Sequence, residues 1–432
     1  MLMKYRYRVL GFLFFASVIT YVDRVCISVA GHTIQEDLGL SLEQWGWVLG
    51  AFVLSYGLFE VPAGAMGDRI GPRRVLTRIV GWWSVFTALT GMAQGFRQLV
   101  VVRFLFGMGE AGAFPNFSAT IARWFPVHER ARAQSVVWMG SRVGGAVAPV
   151  LVIPLQQAFG WRTSFYVFGA VGLVWAVVWC IWFRDKPSEK RGVTPEEVRE
   201  IEGAAVDSGA AAHVRAGTPW KQLFGKANLW WIMLMYHANA WCGFFYLTWM
   251  HIFLAKGRGF TPGELVALSW MPFVFGAVAN LAGGFASDLL VKRIGLKWGR
   301  RLLGFGGLGM ATVFLTLTIF TEGKLLTVVY LALAYGCSDF ALPVAWAVCL
   351  DVGARNAGVV TGAMNMAGQA GSFLTTVLFG YIVVAFGSYN APLVPIALMS
   401  LVGTLAWLRI DPTKPLVADT PPTPAAVIPS VS

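Results

Sequence analysis

Charge is scarce in this sequence. Only 13% of its residues are Asp, Glu, Lys or Arg, whereas 56% are hydrophobic and the mean hydropathy is +0.62. Soluble domains usually carry about twice that charge. Histidine is scarcer still: there are five, and no two have metal-ligand spacing. The five cysteines, Cys26, Cys180, Cys242, Cys337 and Cys349, all lie in apolar stretches without the paired spacing of a zinc site or disulfide framework. They read as small apolar fillers. No nucleophile–base pair or metal cluster stands out, which argues against a membrane-embedded enzyme, and no cofactor is implied.

Apolar runs fill the rest. A helix needs about 20 apolar residues to cross a bilayer, and the sequence offers twelve such segments, near 9–30, 45–66, 76–95, 99–122, 133–156, 161–183, 229–253, 264–290, 302–320, 325–350, 358–384 and 389–409. The first is too long and too charged within for a cleaved signal peptide. The expected fold is an all-α membrane protein of twelve transmembrane helices. Residues 184–228 are the only long polar stretch between segments, with a short amphipathic helix expected at about 195–206. They divide the chain into a six-helix bundle over 1–183, a cytoplasmic linker over 184–228 and a second six-helix bundle over 229–410. The tail over 411–432 is rich in Pro, Thr, Ala and Val and is expected to be disordered.

The net charge of +12 suggests nucleic acid only until the basic residues are placed. With both termini inside, about 26 of the 34 Lys and Arg fall in cytoplasmic loops, 5 outside and 3 within the membrane. This is the positive-inside bias, so the chain reads N-in/C-in, in the cell inner (plasma) membrane, with lipid rather than nucleic acid as its surroundings and monomer as the default state. The halves echo each other. Gly64-Ala-Met-Gly-Asp68-Arg69-Ile-Gly71-Pro-Arg73-Arg74 follows the second segment, and Gly284-Phe-Ala-Ser-Asp288 with Lys292-Arg293-Ile-Gly295 follows the eighth. Each places an Asp at a helix end before a glycine turn and basic residues. Such an echo implies parallel repeats with the binding site between them near the midplane. Asp68, Arg69, Arg73, Arg74 and Asp288 are candidates for a latch that pins the halves together in the outward-open state. Gly140 with Gly144, and Gly358 with Gly362, have the small-residue spacing that lets helices approach closely.

Charge inside the membrane is where function shows. Arg24, Arg103 and Arg142 lie at depth, accompanied by Asp23, Glu110 and Asp339. A charge kept there costs on the order of 2.5–3.5 kcal/mol on insertion scales and faces a cavity or a partner. Positive charge beside ionisable acids reads as a pathway for an anion coupled to protons. Arg24 is the first choice for a substrate carboxylate, because guanidinium grips carboxylate in two prongs and stays charged. An ion pair with Asp23 is geometrically poor, since adjacent helix residues face different ways. Glu110 lies two helical turns after Arg103 on the same face. Glu110 and Asp23 are candidate proton sites, and Arg103 fits a structural part in that network. Arg142 either grips a second anionic group, snorkels, or pairs with Glu110 or Asp23. Tyr21, Tyr56, Tyr246, Trp346, Asn365 and Gln369 are neutral hydrogen-bonding candidates for a polyol. His237 reads more readily as a packing residue than as a proton relay. Asp339 stays open between gate and coupling acid, and Glu60 is placed near a cytoplasmic gate. Pro115, Pro149, Pro272 and Pro343 are expected to kink helices.

The loop over 67–74 resembles the signature loop of the major facilitator superfamily. Arg103-Phe-Leu-Phe-Gly107-Met-Gly109-Glu110-Ala111-Gly-Ala-Phe-Pro115-Asn116, running on to Arg123-Trp124-Phe125-Pro126, resembles the fourth-helix pattern of its anion:cation symporter family. Tyr21-Val-Asp23-Arg24 is similar to that family's first helix. Phe245-Tyr246-Leu247-Thr248-Trp249 and Gly362-Ala-Met-Asn365-Met-Ala-Gly368 are similar to its seventh and eleventh. The resemblance covers about residues 5–410. It implies a symporter of organic anions, often sugar acids such as hexonates, hexuronates and aldarates, with protons. It also implies that Glu110 and Asp23 take part in proton coupling and that Tyr56 and Asn365 meet substrate. Arg142 departs from the family, where many members have an uncharged residue. Two alternatives differ in class: an organophosphate:phosphate antiporter, and a transporter-like sensor that binds without translocating. The antiporter would place arginines in both halves, yet the segment 229–253 has no Arg or Lys and all three mid-membrane arginines are in the first half.

Overall fold

A computed structural model describes residues 4–207, 220–353 and 357–416. The first half holds α1 (Tyr5–Val29), a short external α2 (Gly31–Leu38), α3 (Leu42–Ile70), α4 (Pro72–Met92), α5 (Phe96–Glu110), α6 (Ala113–Trp124), α7 (Val127–Phe159) and α8 (Trp161–Trp182). The linker adds α9 (Pro195–Asp207), where the amphipathic helix was expected, and α10 (Trp220–Phe224). The second half holds α11 (Ala227–Thr248), α12 (Met250–Ile252), α13 (Pro262–Leu268), α14 (Met271–Ile294), α15 (Leu296–Phe320), α16 (Lys324–Gly353), α17 (Ala357–Phe386) and α18 (Leu393–Trp407). A 25-residue helix such as α1 is roughly 37 Å long, enough to cross a hydrocarbon core of about 30 Å. Large apolar side chains such as Phe285, Phe320 and Phe386 point outward, as they do toward lipid.

The repeat is visible in the turns. Gly71 (φ 85, ψ 147) joins α3 to α4, and Gly295 (φ 83, ψ 165) joins α14 to α15. The two glycines of the sequence echo thus adopt the same positive-φ conformation at equivalent points, one that residues with a Cβ rarely adopt. At Gly71 a Cβ would also stand 2.9 Å from the Asp185 carboxylate.

The fourth passage is not one helix, although the sequence reads as continuous over 99–122. α5 stops at Glu110, Ala111 is extended and Gly112 is left-handed (φ 87, ψ 0) before α6 resumes. Pro115 supplies the reason. In a continuous helix its ring would meet the Ala111 carbonyl and its missing N–H would leave that carbonyl unpaired. Asn116 donates its side-chain amide to the Gly112 carbonyl at 2.7 Å and steadies the break.

Gly140 and Gly144 let α7 lie directly on α1. Cβ atoms there would come within 2.7 Å of the Phe14 carbonyl and 2.5 Å of the Val18 carbonyl. The second expected pair does not behave this way. Gly362 faces open space, and the side chain position of Gly358 lies outside the described residues.

The halves meet tightly at the end away from the termini. Ser28 of α1 donates to the Thr248 carbonyl of α11 at 2.7 Å. Trp47 donates to Tyr381 at 3.0 Å. Gly46 lies against the Val377 carbonyl and Gly380 against the Leu42 carbonyl, so α3 and α17 touch backbone to backbone. At the opposite end the linker laces back onto α1. Glu197 of α9 accepts from the first free amides of α1, Tyr5 and Arg6, both at 3.0 Å. The tail is more ordered than expected. Asp411 pairs with Lys297 at 3.1 Å, and Leu416 donates to the Val352 carbonyl at 2.9 Å. Residues 417–432 lie outside the described residues.

Glu200 makes this lacing sensitive to acid. Hydrogen bonds from Arg6 (2.8 Å) and Lys4 (2.7 Å) hold its carboxyl down at about 2, below the ordinary 4.5. A depressed carboxylate stabilises fully above its ordinary range and loses that contribution as pH falls through the folded value. Between about pH 4.5 and pH 2, the melting temperature of the purified protein is therefore expected to fall more steeply in wild type than in Glu200→Gln. Parallel curves would remove Glu200 from the lacing.

Candidate substrate site

A cavity of about 700 Å³ lies between the halves. Its wall runs from mid-depth residues such as Tyr21 and Arg24 to Gln134, near the start of α7, and Leu350, near the end of α16. Both of these belong to the end that carries the linker. With the opposite end closed by the contacts above, the cavity faces the cytoplasmic side of the N-in/C-in topology.

On the first-half wall, α1 presents Arg24 toward the place where α5 breaks. Its Nε donates to Glu110 Oε1 at 2.5 Å. Tyr56, Tyr21 and Phe52 surround the guanidinium, with ring centroids 4.6, 5.2 and 5.3 Å from its carbon. An aromatic face attracts a desolvated cation. Nη2 of Arg24 and Oε2 of Glu110 are buried without a hydrogen-bond partner in the protein. Such buried polar atoms are costly; of the two residues, Arg24 lines the cavity and Glu110 lies buried behind it.

Behind this pair lies a second tier that does not reach the cavity. Arg103 is buried, with its guanidinium 4.4 Å from the Phe106 ring and 5.0 Å from Phe52. Asp23 is buried too, with Glu110 and Arg103 as its charged neighbours. The expectation that Arg24 does not pair with Asp23 agrees with this arrangement. The partner is Glu110, 86 residues away in sequence.

The second charged contact joins the halves. Arg142 of α7 reaches Asp339 of α16, with Nη2 2.9 Å from Oδ2 and 3.0 Å from Oδ1. Its Nη1 donates to the Tyr335 hydroxyl at 3.1 Å. The sequence offered Glu110 or Asp23 as partners for Arg142; the structure gives Asp339 instead. Nearby, Asn365 of α17 donates to Glu60 of α3 at 2.7 Å, a further bond between halves.

Of the substrate candidates, Arg24, Tyr21, Tyr56, Arg142, Trp346, Asn365 and Gln369 all line this one cavity. Tyr246 does not. It is fully buried, and its hydroxyl donates to the Leu331 carbonyl at 2.8 Å, so its place in a motif reflects packing. Both ring nitrogens of His237 are engaged, Nδ1 with the Ala367 carbonyl at 2.9 Å and Nε2 accepting from Trp241 at 3.3 Å. It is a packing histidine. Asn239, Asn280 and Ser338 also line the cavity and were missed. Their only signal was isolated polarity in apolar helices.

Among the described residues, no ion pair or hydrogen bond joins the latch candidates Arg73, Arg74 and Asp288 across the halves. Arg73 stays within the first half, donating its backbone amide to Asp185 at 2.9 Å and its guanidinium to the Cys180 carbonyl. Arg74 and Asp288 are exposed. The side chains of Asp68 and Arg69 lie outside the described residues. All five cysteines are free.

Comparison with known proteins gives one consistent result. The Major Facilitator Superfamily profile matches residues 13–376. The probable sulfoacetate transporter SauU of Cupriavidus necator is 36% identical over 419 residues, covering 97% of this chain and 96% of that protein. The D-galactonate transporter of Escherichia coli O6:H1 is 31% identical over 414 residues, covering 94% and 95%. Among solved structures, a bacterial homologue of the human lysosomal transporter Spinster, inward-facing and unoccupied, aligns with a TM-score of 0.76. It is 20% identical and the alignment covers 95% of this chain and 97% of that one.

Proposed function

The chain belongs to the Major Facilitator Superfamily, with relatives of the anion:cation symporter type, and from that premise we propose that it imports a small organic anion together with protons. It is a transporter, not an enzyme. The relatives named for sulfoacetate, galactonate and hexuronate support an acid of that size as cargo and a bacterial inner membrane as its location.

One observation carries the reading: the Arg24 guanidinium stands on the cavity wall already bonded to an acid, Glu110. A substrate carboxylate or sulfonate competes with Glu110 for Arg24. When Glu110 is protonated, Arg24 is released to the substrate. When the substrate leaves, Glu110 gives up its proton and takes Arg24 back. The charge of the buried cluster therefore stays balanced through the cycle, which avoids the cost of an unpaired buried charge. Asp23 and Arg103, next to Glu110 but away from the lumen, provide the route and electrostatic frame for the proton. Tyr56, Asn365, Gln369 and Trp346 offer hydrogen bonds to the uncharged part of the cargo.

Reconstitution tests this. Proteoliposomes with an alkaline interior are expected to accumulate at least one of sulfoacetate, galactonate, a hexuronate or glucarate, with protons entering alongside, as read by a trapped pH dye. Binding without flux would make the protein a sensor. Flux indifferent to the pH gradient would remove proton coupling.

A further inference from the structure

The cavity wall carries two cations among its described residues, Arg24 and Arg142, whereas a single anionic group needs one. Both are matched at rest, Arg24 by Glu110 and Arg142 by Asp339. The second match has an unusual form. One nitrogen of Arg142 faces both Asp339 oxygens, at 3.0 and 2.9 Å, while the other meets only the neutral Tyr335 hydroxyl at 3.1 Å. The two-pronged grip that makes guanidinium–carboxylate pairs strong is thus not used by its resident acid. The pair also faces the lumen, with side chains 11% and 7% exposed and both residues on the cavity wall. A bond serving only to pack the halves has no need of that position. Tyr21 stands between the two cations. Its ring is 5.2 Å from the Arg24 guanidinium, and its Cβ lies against Gly144, two residues from Arg142.

Resting on the organic-anion reading above, we propose that Arg142 is the subsite for a second anionic group, so that the preferred cargo is a short dianion with an acidic group at each end. Asp339 is the resident counter-ion that this second group displaces. The incoming carboxylate or sulfonate takes both prongs of Arg142, replacing the one-nitrogen contact of Asp339 and the neutral contact of Tyr335. Arg24 holds the other end of the same molecule.

The test uses purified full-length protein and matched probes that differ by one charge: malonate with malonamate, succinate with succinamate, and sulfoacetate with sulfoacetamide, measured by thermal shift and calorimetry. In wild type, the dianion of at least one pair is expected to bind about tenfold or more tightly than its monoanion, about 1.4 kcal/mol. Arg142→Gln is expected to erase that preference, bringing the dianion's affinity down by about tenfold or more to that of its monoanion. Asp339→Asn removes the competitor and is expected to keep or strengthen dianion binding. This second variant decides the matter even if Arg142→Gln fails to fold. Equal affinities within every wild-type pair would overturn the dianion subsite alone, as would loss of dianion preference in Asp339→Asn. If no probe binds while galactonate, a hexuronate or glucarate does, the short-dianion subsite alone is overturned; if none of these binds either, the organic-anion reading falls with it.

Discussion

Arg24→Lys is expected to weaken substrate binding by roughly tenfold to a hundredfold, about 1.5–3 kcal/mol for a charged hydrogen bond, and to bring uptake to background. The charge is kept; the shape is not. Arg24 spends Nε on Glu110 and has Nη2 buried without a partner in the protein, so it can serve an acid and a ligand from different edges. Lysine offers one ammonium at the end of a flexible stem. It cannot hold Glu110 and a substrate in fixed positions at once. The aromatic surround of Tyr21, Phe52 and Tyr56 still accommodates a cation, so the variant is expected to insert and to melt within a few degrees of wild type. Titration calorimetry and uptake on the same preparation check both halves of the expectation. Wild-type affinity in the lysine variant would take Arg24 out of the anion site.

Glu110→Gln is expected to separate exchange from accumulation. Glutamine mimics a carboxyl that never gives up its proton. Counterflow, in which labelled substrate swaps with unlabelled, requires no net proton movement and should persist. Uphill uptake driven by a pH gradient should vanish. The side chain touches Arg24 and lies between it and the Asp23–Arg103 tier, which makes it the only described acid bonded directly to that guanidinium. Concentrative uptake in Glu110→Gln equal to wild type would shift proton coupling to Asp23.

Much of this was legible in the sequence because hydropathy and charge bias are strong signals in a membrane protein. The twelve passages, the linker helix and the paired glycine turns at Gly71 and Gly295 all follow from local residues. Partnerships did not follow. A charge in an apolar helix announces that it needs a partner but not which one. Arg24 met Glu110 across 86 residues, and Arg142 met Asp339 across 197. The break between α5 and α6 was hidden because Ala111, Gly112 and Ala113 continue an apolar run, and only Pro115 hinted at it. Tyr246 was misplaced because a motif says which residue stands in line, not which face it turns; its hydroxyl points to the Leu331 carbonyl.

The closed external end has a mechanical meaning of its own. At Gly46 and Gly380 the shutter between α3 and α17 is bare backbone, glycine against carbonyl. Bare surfaces of this kind hold by fit rather than by attraction between charges. Ionic strength has little to grip there, and a single methyl group acts as a wedge. Two positions away from the cavity wall thus govern how closely α3 and α17 approach, because a Cβ at either would stand 2.9 Å or less from a backbone carbonyl of the other helix.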